Sequence, residues 1–128
     1  MGANYVTLSG SMVRDPEVRK TNSGTDVANF SIAVNKVVRN ENGYDTVLDG
    51  FFDCVAWRKQ AKIVEAHGSK GTLVYVIGRL QQNKWENAEG ESRSKVEVVA
   101  QEVGFHLPPP DDDNTDGQKQ GQDENVPF

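Results

Sequence analysis

The chain of 128 residues is poor in the residue types on which many sites and folds depend. It has a single cysteine, Cys54, which excludes an internal disulfide and a cysteine-built zinc site and fits a reducing cytoplasm. Its two histidines lack the spacing of a ligand pair, so we expect no metal. No run of 18 apolar residues predicts a membrane-spanning helix, and the first residues do not resemble a signal peptide.

Apolar residues are almost absent from the C-terminal stretch 108–128, where only Val126 and Phe128 are apolar besides proline. The core must therefore come from residues 1–107. This part carries 13 basic and 13 acidic side chains, whereas residues 108–128 carry one and six. The net charge of −5 thus belongs to the tail, and the acidic total does not argue against a nucleic-acid-binding body.

Residues 108–128 have the composition of a linker that ends in apolar residues. Pro108–Pro110 favours an extended exit from the last strand, and residues 111–124 contain no aliphatic or aromatic side chain. We therefore predict a disordered acidic linker over 108–122. The last six residues, 123–128, end in Val126-Pro127-Phe128 and are predicted to dock on a partner.

Residues 1–107 are predicted to form one all-β domain with one short helix. Alternating apolar residues, bounded by turn residues such as Asp15-Pro16 and Asn22-Ser23-Gly24, indicate strands, and Gly68 ends the one helical window. The predicted elements are strands at 5–13, 26–38, 47–57, 73–86 and 94–105 and a helix at 59–67. A helix between the third and fourth of five strands is typical of an OB-fold barrel.

The alternation of residues in the third predicted strand indicates which side chains face outward. Its odd positions, from Phe51 to Trp57, share one face, and Phe52, Cys54 and Ala56 share the other. Because Asp53 lies on the face of Phe51, we expect that face to be the outer one. Asp53 itself is an unexpected neighbour for a phosphate-binding surface.

Aromatic residues recur beside cations, which favours binding of single-stranded nucleic acid. Trp57 precedes Arg58-Lys59, and Lys84-Trp85 lies near the tip of a predicted hairpin. Aromatic rings stack on any base, and cations neutralise phosphates. The predicted stacking residues are Phe51, Trp57 and Trp85, and the predicted phosphate contacts are Lys36, Arg39, Lys59, Lys84 and Arg93.

No pattern indicates a catalytic site, and no cofactor is expected. Asp45, Asp49 and Asp53 share a strand parity that is compatible with a cation site, although solvated charges are the simpler interpretation. The stretch Gly68–Gly71 matches a GXXG loop, but it follows a helix and precedes a strand, which favours an ordinary turn. We expect Cys54 to be a buried, inert thiol.

The chain resembles the bacterial single-stranded DNA-binding proteins from Asn4 to about Leu107 and again at its C-terminus. The order and spacing of the matching segments make the resemblance specific. These segments are Leu8–Gly10, Asp15–Arg19, Val27–Ala33, Val55–Trp57, Lys70–Gly71, Val74–Leu80, Lys84–Trp85, Glu97–Ala100 and Asp123–Phe128.

The resemblance implies an OB-fold homotetramer, cytoplasmic and associated with the nucleoid, that wraps single-stranded DNA. It assigns stacking to Phe51, Trp57 and Trp85. It assigns basic contacts to Arg19, Lys59, Lys70 and Lys84. It also implies that Asp123, Glu124, Val126, Pro127 and Phe128 dock replication, recombination and repair proteins.

The chain departs from the family pattern in three places. Val37-Val38 stand where some members carry an aromatic residue, Asn125 replaces an acid, and the linker is short. Three alternatives are an RNA-binding or cold-shock-like module, a protein-interaction adaptor, and an OB-fold hydrolase that uses Asp45, Asp49 and Asp53.

Overall fold

The structure, a computed structural model, describes residues 2–106, which form six strands and one helix. The elements are β1 (Val6–Met12), β2 (Glu17–Lys20), β3 (Asp26–Asn40), β4 (Gly43–Trp57), α1 (Lys59–His67), β5 (Leu73–Glu86) and β6 (Ser92–Phe105). The predicted domain end at Leu107, the linker 108–122 and the tip 123–128 lie outside the described residues.

The five predicted strands and the helix occur in the predicted order, and the helix has the predicted bounds. Two details of the prediction were wrong. The stretch predicted as a loop contains β2, a short and mostly exposed strand that pairs antiparallel with the start of β3. The polar residues predicted to connect β3 and β4 continue both strands, which leaves a two-residue turn before Gly43, whose φ is 116°.

Alternation along the strands produces one core. The apolar residues of one parity in β1, β3, β4, β5 and β6 face inward, and α1 adds Ala61 and Val64. Phe52, Cys54 and Ala56 lie on this inner side, as predicted. The buried core residues are Met12, Ala28, Phe30, Ile32, Cys54, Ala56, Ala61, Val64, Val74, Val76, Val98, Ala100 and Val103.

Five strands close into a barrel in the order β1-β5-β6-β4-β3, because β1 pairs with both β5 and β3. Strands β4 and β6 run parallel and pair over Cys54–Ala56. Closure needs a close backbone approach at Gly78, where an added Cβ would lie 2.0 Å from the carbonyl oxygen of Val99. This close approach lies where the β5–β6 register shifts, between Ile77 and Gly78.

Two hairpins extend beyond the barrel. The β3–β4 arm comprises 35–40 and 43–48 and begins at a register shift between Val34 and Asn35. The β5–β6 arm comprises 81–86 and 92–97. Within residues 2–106, each arm is a two-stranded ribbon that carries candidate functional residues away from the core. No helix of this described part is long and apolar enough to cross a membrane.

Candidate nucleic-acid interface

The strand register places the predicted aromatic residues on one surface. Directly paired residues point to the same face of a sheet, so Arg19, Val27 and Trp57, which pair in succession, share a face. On β4 this is also the face of Phe51 and of Val55, which pairs with Val99. We call this surface of β2, β3, β4, β6 and β5, opposite the core, the outer sheet face.

The outer sheet face continues onto the β5–β6 arm. Residues of the same parity as Val99 on β6 include Lys95 and Arg93, and Arg93 pairs with Trp85. Phe51, Trp57 and Trp85 therefore belong to one surface, with Phe51 and Trp57 about 20 Å apart along β4.

The three aromatic rings are accessible to solvent, unlike the core. Phe51 is 63% exposed, Trp57 40% and Trp85 48%. Phe51 borders a surface cavity with Leu80, Lys95 and Val96. The prediction that Phe51 faces outward is confirmed, and each of the three rings is partly open to solvent.

Trp57 is held at the end of β4 by the turn into α1. Arg58 has a φ of 54°, and its backbone N–H donates a hydrogen bond of 2.9 Å to the carbonyl oxygen of Asp26. The chain thereby changes direction within one residue, and α1 begins at Lys59. Lys59 borders a surface cavity with Arg58 and Lys62, next to the position of Trp57.

Trp85 lies in the β5–β6 arm beside two of the predicted cations. A surface cavity is lined by Lys84, Trp85 and Arg93. The Arg93 guanidinium lies 2.8 Å from the carboxylate of Glu91. An aromatic ring with adjacent cations is the arrangement that the sequence predicted here.

The remaining predicted cations are exposed but do not form one cluster. Arg19 lies on the outer sheet face two strands from Trp57. Lys36 and Arg39 lie on the β3–β4 arm, where the Lys36 ammonium is 3.8 Å from Asp49. Lys70 is in the α1–β5 loop, where its backbone N–H donates to Asp15. Cations are thus distributed around the rings rather than concentrated.

Asp53 was predicted to lie between the aromatic positions, but its ion pair with Lys95 was not predicted from the sequence. The Lys95 ammonium lies 3.0 Å from the Asp53 carboxylate, which also accepts a hydrogen bond from the buried Ser31 hydroxyl. The Ser31 hydroxyl in turn accepts a hydrogen bond of 3.4 Å from Arg14. The parity of Lys95 with Arg93 was visible in the sequence, but its approach to Asp53 depends on the pairing of β4 with β6.

Hydrogen bonds and cations lower the pKa of Asp53. The Ser31 hydroxyl contributes most, followed by the hydrogen bond from Lys95, while partial burial opposes them. Asp53 therefore remains a carboxylate near neutral pH, and Lys95 balances its charge.

The three aspartates of β4 are held separately. Asp45 accepts a hydrogen bond from Asn40, Asp49 pairs with Lys36, and Asp53 pairs with Lys95. In residues 2–106 no three His, Cys, Asp or Glu side chains come together as a metal-binding group. The carboxylate cluster considered for a hydrolase does not form. Cys54 is buried, as predicted, and burial raises its pKa to about 12.

Comparison with known proteins agrees with this architecture. The chain has 44% identity over 105 residues to a single-stranded DNA-binding protein of Halalkalibacterium halodurans, covering 82% of the chain and 61% of that relative. It has 43% identity over 98 residues to one from Enterococcus faecalis, covering 77% and 51%. A single-stranded DNA-binding protein from Staphylococcus aureus is 42% identical over 111 residues, covering 87% and 70%. The chain thus spans only about half to two thirds of these relatives.

A solved structure shares the fold. The chain superposes with a TM-score of 0.73 on one from a complex of a Plasmodium falciparum single-strand binding protein with single-stranded DNA, at 24% identity, covering 84% of this chain and 97% of that one. The closed barrel with its helix is therefore of the OB type. The sequence model of the Single-strand binding protein family matches residues 3–106. The chain belongs to that family.

Proposed function

We propose that the chain is a non-enzymatic protein that binds and protects single-stranded DNA without strong sequence preference, in the cytoplasm at the nucleoid. The observation that carries this proposal is the exposure of Phe51, Trp57 and Trp85 on the same face of the sheet. Large exposed aromatic rings are unfavourable in water unless a ligand covers them.

Stacking explains the absence of sequence preference. Every base has a flat π-face, and a stacked base contributes about 1–3 kcal/mol whatever its identity. Phe51 and Trp57 lie on the rigid barrel, whereas Trp85 lies on the β5–β6 arm. Barrel and arm together would hold successive unpaired bases along the outer sheet face.

Exposed cations would neutralise the phosphates of the bound strand. Each neutralised phosphate releases counter-ions, so binding weakens as salt increases. Ion pairs with Asp49 and Glu91 already engage Lys36 and Arg93, so these two would exchange partners on binding. The proposed phosphate contacts are Arg19, Lys36, Arg39, Lys59, Lys70, Lys84 and Arg93.

A titration with oligothymidylate at two salt concentrations tests this function. We expect quenching of tryptophan emission and weaker binding at the higher salt. Trp57→Ala and Trp85→Ala should each weaken binding by about 1–3 kcal/mol, which is roughly 5- to 150-fold, because a stacking surface is lost.

His67→Ala is the control, because His67 carries an exposed ring but lies in the last turn of α1, beside Phe105, and not on the strands of the outer sheet face. We expect it to bind like the wild type. Wild-type emission that does not respond to oligothymidylate would contradict the proposed function. Equal or tighter binding of a matched oligouridylate would instead support an RNA-binding module.

We also propose that the chain recruits replication, recombination and repair proteins through the C-terminal tip, joined to the domain 1–107 by the linker 108–122. Support comes from the sequence alone. Phe128 and its α-carboxylate suit an apolar pocket with a basic rim, and Asp123 and Glu124 would pair with basic residues of the partner. Val126 and Pro127 would complete the apolar end.

Finally, we propose that the chain assembles as a homotetramer. Leu73 and Tyr75 are exposed and pair with Ser11 and Ser9 of β1, on the outward side of the β1–β5 pairing. An exposed apolar patch on a barrel of this size is typical of a contact between subunits.

A further inference from the structure

Asp53 is an anion within a surface proposed to bind a polyanion. It lies on β4 between Phe51 and Val55 and points to the outer sheet face. A phosphate that passes from one aromatic position to the next would therefore meet a negative charge. The charge of Asp53 opposes phosphate binding, so a role in the free protein would account for its presence there.

The contacts of Asp53 show what that role is. Its carboxylate engages the Lys95 ammonium at 3.0 Å and is held from the other side by the Ser31 hydroxyl. Lys95 also borders the surface cavity of Phe51. Lys95 is therefore placed to meet a phosphate beside that ring, but its charge is already balanced by Asp53.

The pair is suited to exchange. Both side chains are about half exposed, and ion pairs at such positions are weak because water screens them. A phosphate oxygen offers the ammonium the same kind of acceptor as the carboxylate does. Ser31, in contrast, is buried and fixed, so Asp53 stays in place when Lys95 turns towards another partner.

We propose that Asp53 is an internal counter-ion that competes with the phosphates of bound single-stranded DNA for Lys95, and that it thereby limits affinity and salt dependence. This inference rests on the proposed function. It assigns Lys95 as a further phosphate contact and Asp53 as the residue that restrains it. The restraint favours release of the strand after binding.

Asp53→Asn tests the inference, because asparagine keeps the size of the side chain and an acceptor oxygen for Ser31. At low salt we expect oligothymidylate binding to tighten by about fivefold. Lys95 would then neutralise an additional phosphate, so the slope of log K against log salt becomes steeper by about 0.7. Wild type and variant should converge as salt increases.

Two comparisons separate this mechanism from a change in net charge. Glu65→Gln removes the same charge from an exposed position of α1 and should leave affinity nearly unchanged. In a Lys95→Gln background, Asp53→Asn should no longer tighten binding. Tightening of equal size in that background, or in Glu65→Gln, would overturn the inference.

The wild-type titration separates the two proposals. Absence of wild-type binding would overturn the proposed function and this inference with it. Normal wild-type binding together with unchanged or weaker binding of Asp53→Asn would overturn only the counter-ion role. Thermal unfolding followed by circular dichroism checks that every variant compared is folded.

Discussion

Among the described residues, Arg58 is the one non-glycine residue with a positive φ, at 54°. Backbone conformations of this kind cost of order 1–3 kcal/mol and persist where surrounding contacts enforce them. Here the hydrogen bond to Asp26 and the immediate start of α1 provide that enforcement. The strained residue directly follows Trp57, so the turn fixes where an exposed indole ring leaves the barrel.

The facing of single residues in the candidate interface was predictable where the alternation along one strand determines it. Phe51 and Trp57 alternate with core residues of β4, which indicated their face without any tertiary knowledge. The Asp53–Lys95 pair was not predictable, because it depends on the parallel register of β4 and β6, which are more than 40 positions apart in the sequence. Pairing of distant strands leaves little local signal.

Cys54 provides a prediction at the residue scale. Its pKa of about 12 leaves roughly 1 in 10,000 thiols ionised at pH 8, so folded protein should react with iodoacetamide far more slowly than urea-unfolded protein. Because the folded pKa lies above the unfolded value, the thiol contributes to stability below about pH 8.5, and this contribution is lost as the pH rises towards 12. Equal labelling rates of folded and unfolded protein would show that Cys54 is accessible.

At the scale of elements, the sequence indicated the barrel strands better than the arms. Barrel strands have one buried face and therefore alternate, whereas both faces of the β3–β4 arm are largely exposed. Its residues, such as Arg39 and Asn40, resemble a loop in composition. The short strand β2 was missed for the same reason, since only Val18 is partly buried in it.

Gly78→Ala tests the close backbone contact between β5 and β6. The new Cβ would lie 2.0 Å from the Val99 carbonyl oxygen, a backbone atom of the neighbouring strand, at the point where the β5–β6 register shifts. We expect the free energy of unfolding in urea to fall by about 3 kcal/mol or more.

Gly2→Ala is the control for Gly78→Ala, because nothing lies within 4 Å of its added Cβ. Its unfolding free energy should stay within about 0.5 kcal/mol of the wild type. A urea midpoint of Gly78→Ala equal to that of Gly2→Ala would show that β5 and β6 accommodate the added methyl group without loss of stability.

At the scale of the whole molecule, the division of charge was evident from the sequence. A neutral body and a tail of −5 explain how an acidic chain can carry a surface for a polyanion. The distribution of cations around the outer sheet face required the fold, because they come from β2, both arms, α1 and the α1–β5 loop. The surface that would join subunits is even harder to predict from the sequence, because it depends on which apolar side chains remain exposed after folding.

Leu73→Lys tests the proposed assembly. We expect wild-type protein to sediment as a tetramer and the variant to shift to smaller species, because a buried ammonium opposes an apolar contact. Ala66→Lys, on the exposed side of α1, should sediment like the wild type. A wild type that sediments as a monomer at micromolar concentration, or a Leu73→Lys tetramer, would contradict the assigned contact.

The barrel strands and the two arms differ in how well they tolerate inserted residues. Inserting one residue within Cys54–Ala56 of β4 would reverse the facing of every side chain beyond it, whereas a matched pair of residues added to either hairpin tip leaves the barrel pairing intact. Evolution can therefore lengthen or shorten the ribbons without redesigning the core. The reach of each arm from the barrel is thus open to gradual adjustment across descendants of the same barrel.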